Sequence, residues 1–378
     1  MKCPRCYNEK ATYLYELNGK YYCRKCITFS RIFIENKRMT KQMLYPQNQT
    51  HYRLKFQLSL SQKRISNELL KCYKNKENAY VWAVCGSGKT EIVFQTIQYA
   101  LNKGHRVCFC IPRKELVKEL YVRIQESFKD IEIGLMYGGV CENEDAQFII
   151  CTMHQLYRFE NSFGFHLMVA DEVDAFPFKN NDVLEEIFAH CCLGTYIKLS
   201  ATFQEDDIQN GQLFIMNKRY HQYDLPVPHS IIFPQYLQKW VILFILLMKR
   251  KRWIIYVPTL EDVENFVRFL DHRKIPVQGV SSLTTNTQQK LQNLKEHDFY
   301  VLISTTVLER GVTVEDVHVI VYRGDHTIFD ERTLIQIAGR VGRKPNHPTG
   351  DIIILYSYKS KEIKKCINTI KKLNRMSV

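Results

Sequence analysis

The sequence predicts an α/β protein of two tandem units with parallel sheets, preceded by a small cysteine-bearing module. Three observations carry this. Short apolar runs alternate with longer helical stretches in two series, over 57–225 and 226–378. The alternation breaks between about Thr202 and Tyr236, where polar residues gather with Pro226, Pro228 and Pro234. Two Cys-x2-Cys pairs sit within the first 26 residues.

The first 56 residues form the small module. Cys3 and Cys6 are separated from Cys23 and Cys26 by 16 residues, a spacing that fits four thiolates around a structural Zn²⁺. A piece of about 40 residues buries too little surface to hold itself, so a metal is physically motivated. The module holds 12 Lys and Arg against 3 Asp and Glu, a net of +9. Cations and rings interleave: Arg5, Tyr7, Lys10, Tyr13, Tyr15, Lys20, Tyr21, Tyr22, Arg24, Lys25 and Arg31. That mixture suits a nucleic-acid single strand, with phosphates on cations and bases on rings. Tyrosines packing a tiny core read equally well, and the two are compatible.

In the next unit, strands are expected at Ala79–Cys85, Arg106–Pro112, Gln147–Thr152, His166–Val173 and Tyr196–Ala201. Helices are expected to start near Ser61, Lys89, Arg113 and Asp182. The segment from Ala83 to Thr90 (AVCGSGKT) follows a strand and opens a helix, the context a phosphate-binding loop requires. Gly86 and Gly88 let the backbone approach phosphates at the positive end of a helix, and Ser87 between them is expected at the nucleotide as well. Lys89 can reach the β- and γ-phosphates, and Thr90 can hold Mg²⁺. Ala83 stands where the strict pattern has glycine. The run from Leu167 to Asp174 (LMVADEVD) puts Asp171 at the carboxyl end of a strand, where such sheets bind ligands. Asp171 can hold Mg²⁺ and Glu172 can polarise the attacking water. With the phosphate loop, this pair makes an ATPase the leading reading.

The last unit opens on Trp240–Met248 (WVILFILLM), nine apolar residues followed by Lys249-Arg250-Lys251-Arg252. Crossing a bilayer takes about 20, so a buried helix with a basic end is expected, a membrane-surface contact being the alternative. Strands follow at Trp253–Pro258, Val277–Val280, Tyr300–Ser304, Val317–Tyr322 and Asp351–Tyr356. Gln336 to Lys344 (QIAGRVGRK) places Arg340 and Arg343 three apart on an expected helical stretch, facing one side. In a two-unit ATPase such arginines stabilise charge on the transferring phosphoryl group.

Bulk numbers narrow the class. Over 378 residues, 45% hydrophobic and 24% charged content excludes disorder, collagen and low-complexity repeats. The net charge of +14 calls for a polyanion, nucleic acid before anionic membrane. The N-terminus lacks an apolar signal segment, and 13 cysteines argue for a reducing, cytoplasmic setting. Cys72, Cys85, Cys108, Cys110, Cys141, Cys151, Cys191, Cys192 and Cys366 show no ligand spacing and are expected in the core.

Residues from about 60 to 345 resemble a superfamily 2 helicase core of two RecA-like lobes. The motifs stand in order: Gln62, the phosphate loop, Pro112-Arg113, Gly138-Gly139, Thr152, Asp171-Glu172-Val173-Asp174, Ser200-Ala201-Thr202, Val257-Pro258-Thr259, Thr305-Thr306 with Glu309-Arg310-Gly311, and the arginine segment. The resemblance implies that Gln62 reads adenine and Gly311 lies at the nucleotide. It implies that Ser200 and Thr202 couple hydrolysis to lobe movement. It also implies that Arg113, Gly139, Thr152, Thr259 and Thr305 line the nucleic-acid track. With its four-cysteine module and the run Asp171 to Pro177 (DEVDAFP), the whole chain resembles the ComFA family of late-competence DNA-uptake ATPases. That likeness implies a motor on single-stranded DNA serving a DNA-uptake membrane channel. It implies ComFC, a phosphoribosyltransferase-like competence protein, as partner, and a cytoplasmic place at the inner face of the membrane, with oligomers allowed. A primosomal or DNA-repair helicase is the alternative, although such chains are generally longer. An RNA helicase would more often read Asp-Glu-Ala-Asp at its second motif. A zinc-bearing adaptor with a decayed core is disfavoured because Lys89, Thr90, Asp171, Glu172, Arg340 and Arg343 are all present.

Overall fold

A computed structural model describes residues 1–36, 38–47, 49–203, 207–281, 284, 286–306 and 314–376. Contacts divide the chain into two compact units, Met1–Trp82 with Gly88–Ile215, and Ala83–Ser87 with Met216–Val378. The division cuts the phosphate loop between Ser87 and Gly88.

The first unit begins with a hairpin of β1 (Leu14–Leu17) and β2 (Lys20–Cys23). Asn18 and Gly19 turn it, both at positive φ (50° and 77°), the demand that makes Asn-Gly a hairpin signal. Then come α1 (Leu60–Lys74), β3 (Ala79–Ala83), α2 (Phe94–Asn102), β4 (Val107–Ile111), α3 (Lys114–Ser127), β5 (Ile133–Tyr137), β6 (Val140–Glu142), β7 (Phe148–Thr152), β8 (Phe165–Asp171), α4 (Asp182–Cys191), β9 (Cys192–Ser200) and β10 (Gln212–Met216). Among the described residues they form one sheet in the order β10-β3-β9-β8-β4-β7-β5-β6. The ladders from β3 through β5 are parallel, and β6 closes antiparallel on β5. Its central strands are apolar on both faces, as a sheet covered by helices requires. The phosphate loop leads first into a short 3₁₀ turn (Glu91–Val93), so the regular helix starts at Phe94, later than the sequence suggested.

Among the described residues, the buried side chains of the cysteine module join a core shared with the rest of the first unit. The module's four sulfurs, Phe29 and Ile32 share one apolar cluster with Cys151, Met153, Leu156, Phe159, Phe165 and Cys191. Phe29 stacks on His154, with ring centres 5.6 Å apart. Glu160, 1% exposed, is gripped by Arg5 (2.7 Å) and by Arg38. Arg5 also donates to the carbonyls of Cys26 and Ser30. A buried carboxylate is tolerated where its charge and lone pairs are met in this way. Arg5 is thereby withdrawn from the expected phosphate-binding surface.

The second unit holds β11 (His229–Ile232), α5 (Gln235–Met248), β12 (Arg252–Tyr256), α6 (Leu260–Asp271), β13 (Val277–Val280), α7 (Thr287–Glu296), β14 (Tyr300–Ser304), β15 (Val317–Val321), α8 (Glu331–Ala338), β16 (Ile352–Tyr356) and α9 (Lys361–Arg375). Its described strands form a parallel sheet in the order β11-β16-β15-β12-β14-β13. β10 and β11 lie inside the stretch where the strand pattern fades in the sequence.

Two expectations change here. Helix α5 is not buried: Gln238, Ile242 and Leu246 point inward at four-residue intervals, while Tyr236, Trp240, Phe244, Leu247 and Met248 form an exposed stripe. The apolar run is wider than the face its neighbours cover. Among the unpatterned cysteines, Cys141 is exposed and Cys85 and Cys192 are half-buried; the rest are buried.

Candidate active site and metal centre

Parallel strands bring the candidate residues of the first unit to one edge. The phosphate loop follows β3, Asp171 ends β8, Ser200 ends β9, Arg113 lies just beyond β4, Thr152 ends β7, and Gly139 sits in the turn after β5. All of these are carboxyl ends, where α/β sheets place ligands.

Gly86 (φ 83°) and Gly88 (φ 73°) adopt backbone that side chains resist. Gly88 is also hemmed in, since a Cβ there would lie 2.4 Å from Gln62 Nε2. Gln62 is 2% exposed, and its Oε1 accepts from the Ser59 N–H (2.8 Å) while Ser59 Oγ accepts from the Gln62 N–H, a capping box on α1. The local fold thus packs Gln62 on the loop.

Lys89 Nζ lies 2.6 Å from Asp171 Oδ1. Burial works against the Lys89 ammonium, but the carboxylates of Asp171, Glu172 and Asp174 outweigh it and hold its pKa above the ordinary lysine value. Burial pushes Asp171 up; Lys89 offsets this in part, and neighbouring Glu172 adds to the rise. The Glu172 N–H donates to Asp171 Oδ1 (2.7 Å), and Glu172 itself sits at φ 55°. Asp174 accepts from Thr202 Oγ1 (2.8 Å), and Ser200 Oγ both accepts from the Thr202 N–H and donates to the Thr202 carbonyl (each 2.9 Å). Thr90, buried, precedes the 3₁₀ turn. These residues suit a metal-bound nucleoside triphosphate: Lys89 would supply the cation, and Thr90 and Asp171 would supply oxygen donors of the kind Mg²⁺ takes. When bound, Mg²⁺ neutralises charge on the β- and γ-phosphate oxygens.

In the second unit Thr259 caps α6, accepting from the Asp262 N–H (3.0 Å) and donating to Asp262 Oδ2 (2.7 Å). Thr305 is buried just beyond β14. The register Tyr256↔Ser304 sets both threonines at the same sheet edge. The arginine pair departs from expectation. Helix α8 ends at Ala338, and Arg340 and Arg343 lie in the turn after it. The Arg340 N–H donates to Ile337 O (3.0 Å), a tightened three-residue step, and Gly342 at φ 70° ends the coil. Arg340 is 3% exposed; Arg343 is more open and donates from Nε to Gly339 O (3.0 Å). Glu309, Arg310 and Gly311 lie outside the described residues.

Cys3, Cys6, Cys23 and Cys26 have their sulfurs within 4.8 Å of one another and are all buried. The Cys3–Cys26 and Cys6–Cys23 separations are each 3.8 Å. Four sulfurs held about 2.3 Å from a central Zn²⁺ in a tetrahedron stand at about that spacing. Hydrogen bonding from Cys26 and Cys6 draws the Cys3 thiol far down, and hydrogen bonding with Cys3 and Cys6 pushes Cys26 up, so these three sulfurs compete for charge in one buried space. The donor set fits a structural zinc. On the surface, Arg24 lies over Tyr15 (4.5 Å) and Arg31 over Tyr22 (4.9 Å), with Tyr7 and Tyr13 exposed.

Sequence reasoning missed Arg219 and His221, which touch the arginine turn from a polar stretch that has no motif spacing. It also missed Glu160, whose role depends on partners more than 100 residues away.

Residues 55–205 match the family model described as "Type III restriction enzyme, res subunit", and 235–345 match "Helicase conserved C-terminal domain". The chain is 30% identical to the competence protein ComFA of Bacillus subtilis, covering 100% of this chain and 86% of that one. It is 31% identical to ComFA of Streptococcus pneumoniae, covering 99% and 90%. Saccharomyces cerevisiae Dbp5, solved with RNA and ADP-BeF3, matches in fold at TM-score 0.58 and 19% identity, over 84% of this chain and 92% of that one.

Proposed function

Because the chain belongs to the ComFA family of competence proteins and is a helicase-like, ATP-hydrolysing enzyme, we propose that it is a single-stranded-DNA-dependent translocase driving the uptake of transforming DNA. The observation that carries this is the shared carboxyl edge of the first sheet. Lys89 and Asp171 stand at one part of it, and Arg113, Gly139 and Thr152 at the carboxyl ends of the adjoining strands β4, β5 and β7. Hydrolysis and grip then act through one rigid sheet.

In this reading Gly86, Ser87 and Gly88 cradle phosphates, Gln62 reads adenine, and Lys89 anchors the β- and γ-phosphates. Thr90 and Asp171 hold Mg²⁺, Glu172 orients the attacking water, and Arg340 and Arg343 offset charge on the transferring group. Gly311 adds to the nucleotide side, and Thr259 and Thr305 continue the track. Zn²⁺ on the four cysteines is structural, and the exposed tyrosines and arginines of the hairpin add stacking surface. ComFC and the uptake channel are the proposed partners. A peripheral place at the inner face of the membrane fits α5, whose apolar stripe is bare and which lies in a stretch without acidic residues from Leu225 to Leu260. No helix among the described residues is long and apolar enough to cross a membrane.

The test is ATPase stimulation measured side by side with single-stranded DNA, duplex DNA and RNA. Preferential stimulation by single-stranded DNA is expected. Equal stimulation by RNA overturns the DNA assignment, and a requirement for duplex favours the repair-helicase alternative.

A further inference from the structure

Arg219 is fully buried in the second unit, between β10 and β11. Its Nη1 donates to the Gly342 carbonyl and its Nη2 reaches the Gly339 carbonyl at 3.5 Å. His221 Nε2 stands 3.1 Å from the same Gly342 oxygen. These two carbonyls bracket the turn that carries Arg340 and leads into Arg343. Carbonyls past the end of a helix have no partner within it and attract cationic donors. The fit is close: a Cβ on Gly342 would lie 2.7 Å from Arg219 Nη1 and 2.2 Å from Pro348 O. Burial pulls the Arg219 pKa down to about 10, Cys85 opposing and Arg343 adding to the fall, so the group stays cationic at neutral pH. A buried guanidinium is a costly way to fill space. Its planar fork is suited to two acceptors at once, which an ammonium cannot match.

We infer that Arg219 and His221 are positioning residues that hold the Gly339–Gly342 turn, and so set where Arg340 and Arg343 point. The inference rests on the proposal that those arginines act on the phosphoryl group. Displacing a charge-stabilising group by about 1 Å costs on the order of 100-fold in rate, so partial loosening of the turn is expected to lower kcat while leaving ATP binding intact.

The test compares Arg219→Ala, Arg219→Lys, His221→Ala and His221→Gln in the full chain, with melting curves for each. Arg219→Ala is expected to lower kcat roughly tenfold with the KM for ATP within about twofold. Arg219→Lys is expected to rescue little, and His221→Gln, which keeps a donor, to exceed His221→Ala. In an Arg343→Ala background, Arg219→Ala is expected to cost much less, the non-additivity of residues acting through one another. His221 is half-exposed, so its variants remain informative if Arg219→Ala fails to fold. Unchanged kcat in both alanine variants, or an undiminished Arg219→Ala effect in the Arg343→Ala background, overturns the inference. If Arg340→Ala and Arg343→Ala themselves keep full turnover, the phosphoryl assignment falls and the inference with it. If they lose turnover while Arg219→Ala and His221→Ala do not, the inference falls alone.

Discussion

The Thr202 hydroxyl donates to Asp174 Oδ2 across 2.8 Å, joining the loop after β9 to the loop after β8. The loop after β8 begins with Glu172, next to Asp171 at the strand's end, so a shift in one loop is felt by the other. Thr202→Val removes the donor at nearly constant shape. It is expected to cost about 1–3 kcal/mol, the usual penalty for weakening a buried polar pair, and to lower kcat while Thr202→Ser preserves it. Denaturant melts and steady-state ATPase assays check this; wild-type values for Thr202→Val would make the bond idle.

Lys89→Ala takes away the phosphate anchor and the partner of Asp171. ATPase activity is expected to fall by at least about 100-fold, with nucleic-acid binding retained because Arg113, Gly139 and Thr152 stand at the ends of other strands. Turnover and filter binding on the same preparation separate the two effects.

Gly88→Ala faces both a positive φ and Gln62 Nε2 at 2.4 Å from the new methyl. Loss of nucleotide binding is expected, read by titration with a fluorescent ATP analogue. Adding Gln62→Ala relieves the clash but not the backbone strain, so recovery is expected to be partial at best.

His166 sets an acid limit on the first unit. Its Nδ1 accepts from the Arg106 N–H (3.0 Å), and burial, with His105 stacked at 4.7 Å, lowers its pKa to about 4. An unfolded histidine titrates near about 6.5. Between these values the unfolded chain binds the extra proton, so stability falls as pH drops, by up to about 1.4 kcal/mol per pH unit. Melting temperature followed from pH 7 to about pH 4 is expected to decline more steeply in the wild type than in His166→Gln.

Much of this was open to reading in the sequence. Phosphate-loop spacing and the apolar run ending at Asp171 are local patterns, and local patterns survive folding. The Arg340–Arg343 spacing read as helix because neither glycine nearby announces its φ; Gly342 turned out to be the stop. Helix α5 read as buried because apolar content says nothing of how wide a face the neighbours cover. Arg219, His221 and Glu160 were invisible because their partners lie 120 or more residues away, or belong to the other end of the unit.

Removal of zinc tests the module. One zinc per chain is expected by metal analysis, and Cys26→Ser or a strong chelator is expected to lower the melting temperature of the first unit as well as loosen the hairpin. A released hairpin on an unchanged ATPase domain would contradict the continuous packing.

That continuity bears on how the protein can be taken apart. Phe29, Ile32 and the four cysteines share one apolar cluster with Cys151, Phe159 and Cys191, and Arg5 and Arg38 pair with Glu160. Amputating residues 1–56 would open an oily wound in the ATPase lobe and strand a carboxylate inside it. A shortened chain that loses DNA binding would then report injury to the lobe, and point substitutions at Tyr7, Tyr13 or Arg24 on the outer surface are the cleaner instrument.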